Sequence, residues 1–328
     1  MAIPAHIWFI WFGRRFPLFA ELAVRSALIH NPDAKVSVWH SNDLDAEART
    51  RLSSLPRVEL REIQIDSLLE RAAQVSIEAS GAALDIERLR RVWDVLTAPA
   101  ARANVVRLLV LFTEGGVYLD TDTLTLRPFT KLLQFKGFCG VEHLLWPKSK
   151  LSIASAYFWL GGPLLMLGRV VFGKVPYGYR AQRRLLRWYS EAANNAVLGF
   201  APRHPLVHHA LERITQLDEL EWSKRFRLGT HLLQESLDQT AGDPDCSVAR
   251  LSPTHFYPLG PVISQHYFRD YPDAAQVSSE IVSADTYVIH WYASVSDLQG
   301  IDANYIRAHR ATSVFAALCA PVLDAVIE

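Results

Sequence analysis

The chain has 328 residues, half of them hydrophobic and 21% charged, with 34 basic side chains against 34 acidic ones. That length buries a large core as one domain or two, and the balanced charge gives no electrostatic footprint for nucleic acid and no tail of single sign. Three well-separated cysteines, Cys139, Cys246 and Cys319, make neither a disulfide framework nor a metal-ligand spacing, so a reducing, cytoplasmic setting is expected.

Residues 1–12 are apolar and aromatic but lack a basic leader and a cleavage site, and they are too short to cross a bilayer. Residues 3–12 instead read as a strand buried on both faces and closed by Gly13. Pro17 opens a helix with Phe19, Leu22, Ala23, Ser26 and Ile29 at helical spacing, and Asn31-Pro32-Asp33 ends it. Val36, Val38 and Trp39 make a second strand. Strand, helix, strand is a βαβ unit, which implies a mostly parallel sheet covered by helices. A third strand is expected over 58–65, a helical stretch over 66–95 with Arg88, Arg90 and Arg91 on one face, and a helix over 99–113.

That helix stops at Gly115-Gly116, after which Val117, Tyr118 and Leu119 read as a short buried strand. Asp120 and Asp122 follow where the strand opens into a loop, and residues two apart in extended chain point to one side. Two carboxylates placed together there must be hydrated, paired or bound to a cation. Oxygen ligands suit Mg2+ or Mn2+, which also bridge to phosphate. An isolated Asp-X-Asp is more often a solvated turn; the neighbouring residues shift the reading. Asn104 and Arg107 lie three apart on one helix face. In open α/β sheets ligands sit beyond the carboxyl ends of the strands, where Gly13, Asp120 and Asp122 fall. Trp11, near the end of the first strand, offers either a core side chain or a plate for a nucleobase. A guanidinium, a carboxylate pair and an aromatic plate together suit a nucleoside diphosphate.

Residues 123–126 are expected to extend further. The run 151–168 has no charged residue, is broken by Gly161-Gly162-Pro163, and is flanked by Lys148, Lys150, Arg169 and Lys174. It reads either as interior or as a peripheral contact with a membrane, since the glycine–proline break opposes one continuous span. A basic helix over 180–189, helical segments over 204–217 and 228–239, and short strands over 249–252 and 287–291 complete the chain. Glu142 reads as an acceptor-side base or as surface polarity, and His204, His208 and His209 as packing or solvated residues. No linker cuts the chain, so one domain over 1–328 is expected: a nucleotide-sugar half (1–145), an apolar and basic insertion (146–190) and an acceptor-side half (191–328).

The ordered set Ile7-Trp8-Phe9-Ile10-Trp11-Phe12-Gly13, Asn31-Pro32-Asp33, Trp39, Arg107 and Gly115-Gly116-Val117-Tyr118-Leu119-Asp120-Thr121-Asp122 resembles the Asp-X-Asp sugar transferases of glycosyltransferase family 32. These are related to capsular polysaccharide transferases and, more distantly, to the large clostridial toxin glucosyltransferases. Asn194-Asn195-Ala196-Val197, His204-Pro205-Leu206, Gly229-Thr230 and Val288-Ile289-His290-Trp291 extend the likeness. The resemblance implies a GT-A α/β fold, a divalent cation (Mn2+ or Mg2+), a nucleotide-sugar donor with a UDP-sugar favoured, hexosyl transfer with retention, and a saccharide, lipid-linked or small-molecule acceptor. It implies that Trp11 stacks on the base, that Arg107 binds donor sugar or phosphate, that Asp120 contacts ribose and metal, and that Asp122 ligates the metal. It implies that His290 completes the metal shell and that Phe9, Asn104, Tyr118 and Thr121 line the donor site. Two departures stand out. Asn104 occupies a position where the family usually has Asp, and Ala293-Ser294-Val295-Ser296 replaces its usual Gly-Ser-Trp.

Two other functions fit parts of the pattern. Asp120-Thr121-Asp122-Thr123-Leu124 matches a haloacid-dehalogenase phosphatase signature, whose later acidic pair would have to be Asp243 and Asp245. A nucleotide-sugar binder without catalysis is the other, motivated by Asn104.

Overall fold

A computed structural model describes residues 2–144, 162–186, 189–293, 295, 296, 298 and 300–327. The alternating burial of the first strand organises everything around it. In β1 (His6–Trp11), Ile7 and Phe9 enter one hydrophobic cluster while Trp8 and Ile10 enter another, so the strand is buried on both faces, as its continuous apolar run requires. Helix α1 (Leu18–His30) leads to β2 (Lys35–His40), which pairs parallel with β1. After α2 (Ala46–Ser53), β3 (Val58–Glu62) extends the sheet on the far side of β2. Helices α3 (Ile65–Ser80) and α4 (Ile86–Val95) divide the expected helical stretch, because Gly81 takes a left-handed φ of 74° and ends the first of them.

Helix α5 (Pro99–Glu114) returns the chain to β4 (Gly116–Leu119), parallel to β1. The Gly115-Gly116 turn between them admits no side chain. Both φ angles are positive, and a Cβ on Gly116 would stand 2.5 Å from the backbone oxygen of His6. β5 (Thr123–Thr125) leaves the main sheet, which continues with β6 (Gly137–Leu144), β7 (Ser190–Phe200) and β8 (Ala249–Leu251). The seven strands run in the order β3-β2-β1-β4-β7-β6-β8, with only β7 reversed. The α/β architecture with a mostly parallel sheet is the one expected from the sequence. β6 and β7 were not expected. Their glycines, alanines and asparagines have weak strand preference, and they become strands by pairing, β7 with β4 and β6 with β7 and β8.

The basic helix is shorter than expected, Gly178–Leu185, and Gly162-Pro163 opens a helix, Gly162–Lys174, in place of breaking one. The part of the charge-free run before residue 162 lies outside the described residues. No helix among the described residues is long and apolar enough to cross a membrane.

Candidate metal and donor site

Three segments distant in sequence converge beyond the carboxyl end of β4. The loop leaving this strand is fixed by its backbone: Asp120 N donates to Ala196 O at 2.8 Å, and Thr123 Oγ1 donates to Asp120 O at 2.8 Å. β5 then pairs antiparallel with β9 (Val288–His290), placing Thr123 opposite His290. That short ladder brings His290 within 3.0 Å of Asp122 across 168 residues of sequence. One ligand atom each from Asp120, Asp122 and His290 falls within 4.8 Å of the others.

Each carboxylate is held differently. Arg107 on α5 donates from Nη2 to Asp120 Oδ1 at 2.8 Å and to the Tyr118 hydroxyl at 2.9 Å, and Tyr118 donates to the same Oδ1 at 2.6 Å. Two of these bonds fall on Oδ1 and none on Oδ2. Asp122 accepts from the His290 ring through Oδ1 and from Ala293 N through Oδ2 at 2.8 Å. Burial opposes ionisation of Asp122, but the His290 charge and these hydrogen bonds outweigh it and hold its carboxyl below the ordinary range. Burial likewise opposes a charge on His290, and the Asp122 charge outweighs it, raising the imidazole above its usual value. Desolvation, with the Asp120 charge beside it, keeps Tyr118 neutral far above the usual phenol range. Two carboxylates and an imidazole, partly exposed at Asp120 and Asp122, make a donor set of the kind that binds Mn2+ or Mg2+.

The other expected site residues are distributed unevenly. Arg107 is only 5% exposed and donates from Nη1 to Asn195 O at 2.6 Å and from Nη2 to Tyr118 and Asp120, so it holds Asp120 in place. Tyr118 is buried and acts in the same relay. Phe9 is fully buried in the core, and its ring fills the space under α1. Trp11 is half-buried at the strand exit, its indole donating to Gly13 O at 3.1 Å and packing edge-on to Phe16, with one part of the ring open. Thr121 is half-exposed between the two aspartates.

Asn104 accepts from Asn195 Nδ2 at 2.9 Å, and a cavity of about 20 Å3 lies between this pair, Arg107 and Gly229. It has room for one water but not for a hexose in this arrangement. Nε of Arg107 is buried without a hydrogen-bond partner. A larger hollow of about 290 Å3 lies at the β8 edge of the sheet, lined by Asp243, Cys246 and Arg250, three strands from β4 and apart from the carboxylate cluster. Asp243 accepts from the backbone of Asp245 in that turn, so the acidic pair a phosphatase would need does not reach Asp120.

Sequence reasoning missed the roles of Asn195 and Glu142. Asn194-Asn195 interrupts an apolar run, and that interruption was the available signal. Glu142 is buried rather than surface polarity: it accepts from the Tyr292 hydroxyl at 3.3 Å, and its charge adds to those raising His290. His204 packs as expected, its Nδ1 capping the helix Pro205–Gln216 and its pKa pushed down to about 4 by burial. His208 bonds Ser76 and stacks near Phe112.

Residues 20–138 match the family model described as "Glycosyltransferase sugar-binding region containing DXD motif". The matched segment includes Asn104, Arg107, Asp120 and Asp122. No curated protein sequence matches the chain. Among solved structures, the PaToxG glycosyltransferase superposes with a TM-score of 0.45 at 17% identity, over 73% of this chain and 70% of its own. The ligand-free glycosyltransferase domain of the YGT toxin gives 0.46 at 11%, over 98% and 90%. The apo-form glycosyltransferase GlyE of Streptococcus pneumoniae TIGR4 gives 0.45 at 10%, over 98% of this chain and 61% of its own. Residues 20–138 are thus similar to the DXD-bearing sugar-binding region of glycosyltransferases.

Proposed function

We propose that this chain is a metal-dependent, retaining hexosyltransferase of GT-A type that uses a nucleotide sugar, with a UDP-sugar favoured, and a saccharide, lipid-linked or small-molecule acceptor. The observation that carries the reading is the convergence of Asp120, Asp122 and His290 at the end of a central strand, within the matched region or paired to it. Bound there, Mn2+ or Mg2+ would neutralise the charge that develops on the diphosphate leaving group. Asp122 and His290 hold the cation, and Asp120 offers it Oδ2 while Arg107 and Tyr118 lock Oδ1. Trp11 receives the base on its open face, and Thr121 lies beside the diphosphate. Asn104 and Asn195 border the sugar end, which opens only if the pair around Gly229 moves.

The engagement of the two aspartates speaks against a covalent glycosyl-enzyme, so the proposed retention would proceed without one. Each carboxylate is already committed to cations and hydrogen bonds, so neither is a free nucleophile. The test is incubation with Mn2+ and a panel of nucleotide sugars, scoring nucleotide release and reading the product anomer by NMR. Metal-dependent release with retained configuration is expected. Release that survives a chelator, or an inverted product, refutes the corresponding part. A nucleotide-sugar binder without catalysis, motivated by Asn104 in place of the usual Asp, would bind donor and release nothing.

A further inference from the structure

The helix Gly162–Lys174 is built inside out. Its inner face is Gly168, Phe172 and Gly173, fitted so closely that a Cβ on Gly173 would meet Gln265. Phe172 O accepts from the His266 ring at 2.8 Å, and Gly173 O from Arg269. This face is fixed to the body of the protein. Pro163, Met166, Leu167, Val170, Val171 and Val175 point the other way, and apart from the last they follow the i, i+3, i+4, i+7, i+8 spacing of one helical stripe. The five besides Pro163 are 42% to 60% exposed and make up five of the twelve large apolar side chains exposed among the described residues. The rest of the exposed apolar residues are scattered, which is ordinary, whereas a contiguous stripe is not.

Charge along this stretch of the chain has one sign. Between Glu142 and Glu191 the sequence contains no acidic residue. Lys174 stands exposed in line with the stripe at its C-terminal end, and Arg169 and Arg184 flank it on this helix and the next. Arg180 and Arg183 turn inward to Glu280, and so serve to pin the second helix, Gly178–Leu185, to the body. The outer surface is therefore apolar in the middle and basic at its margin, the pattern of a helix that lies in a bilayer interface and meets anionic headgroups.

We propose that this helix face docks the protein peripherally on a bilayer containing anionic lipid. It holds whatever sugar the enzyme transfers, because it uses no residue of the metal or donor site. The test is flotation with vesicles of phosphatidylcholine alone or with about a third phosphatidylglycerol, at low and high salt. Three proteins are compared: wild type, Lys174→Glu/Arg184→Glu, and Leu167→Ser/Val170→Ser. All three should melt alike, since the altered side chains are exposed. Wild type should float with anionic vesicles, and each double variant should lose at least about tenfold in partitioning. Charge reversal should remove the lipid selectivity and the salt dependence. Wild type remaining with the soluble fraction at low salt overturns the proposal. So does a lowered melting temperature in Leu167→Ser/Val170→Ser without vesicle binding, which would mean another part of the chain covers the stripe. Concentration-dependent dimerisation abolished by the same variant would assign the face to a second copy and also overturn it.

Discussion

Asp122→Asn isolates the electrostatic core of the site with almost no change in shape. Asp122 is 16% exposed along its side chain, and both of its oxygens are used, one by His290 at 3.0 Å and one by Ala293 N at 2.8 Å. The amide retains one acceptor for Ala293 N but turns an NH2 group, or an uncharged oxygen, toward His290. Hydrogen bonds to an ionised partner are roughly twice as strong as neutral ones, so the apo protein should lose about 1–3 kcal/mol of stability. The larger effect should be on turnover. Removing one electrostatic contact to a developing oxyanion typically costs about 100- to 1,000-fold, or about 2.7–4 kcal/mol in the barrier. Mn2+ affinity, measured by calorimetry, should fall by at least about a hundredfold because a direct ligand is altered. Nucleotide release with saturating donor and Mn2+, denaturant unfolding and the metal titration together separate catalysis from folding. Turnover within about threefold of wild type, with Mn2+ affinity unchanged, would refute the assignment of Asp122 as a metal ligand.

Asn104→Asp preserves the acceptor that Asn195 uses and places a carboxylate at the cavity that Arg107 also lines, so donor preference across a nucleotide-sugar panel should change; identical kinetics would place Asn104 outside the donor site. Gly116→Ala forces a side chain onto a positive φ and against the backbone of His6, and should destabilise the fold by about 2–4 kcal/mol, with little loss in denaturant midpoint arguing against the tight turn. Mn2+ affinity should depend on pH with a definite sign. His290 titrates above the ordinary imidazole value because, against the cost of burial, the Asp122 charge favours its protonated form. A proton must therefore leave before the ring can ligate a cation, so affinity should rise as pH rises through that raised pKa and level off once His290 is neutral. A flat profile from about pH 6 to 9 would exclude His290 from the metal shell.

How much the sequence determined can be traced residue by residue. Its apolar run marks β1 as buried on both faces, since a strand covered on both sides has no polar positions to alternate. The glycine pair marks the stop of α5, because only glycine tolerates the positive φ and the close approach of β1 and Pro202. Asp120 and Asp122 are legible as a pair from their spacing, although the structure brings them together through a turn at 121–122 rather than through extended chain. What lay beyond the sequence is what depends on partners far away. β7 is a strand because β4 offers it a ladder, and β6 because β7 and β8 do, not because their residues prefer one. Glu142 is equally at home on a surface or in a core, and only the neighbouring Tyr292 makes it a buried charge of the site. Arg107 is readable on its helix as a ligand contact, and only the fold reveals that it is buried and also holds Asp120. His290 meets Asp122 only through the β5–β9 ladder, a contact of high sequence separation that no local pattern encodes. Local sterics and periodicity act within a few residues and so are written in the chain. Burial and ion pairing belong to the assembled fold, and the tertiary structure alone decided them.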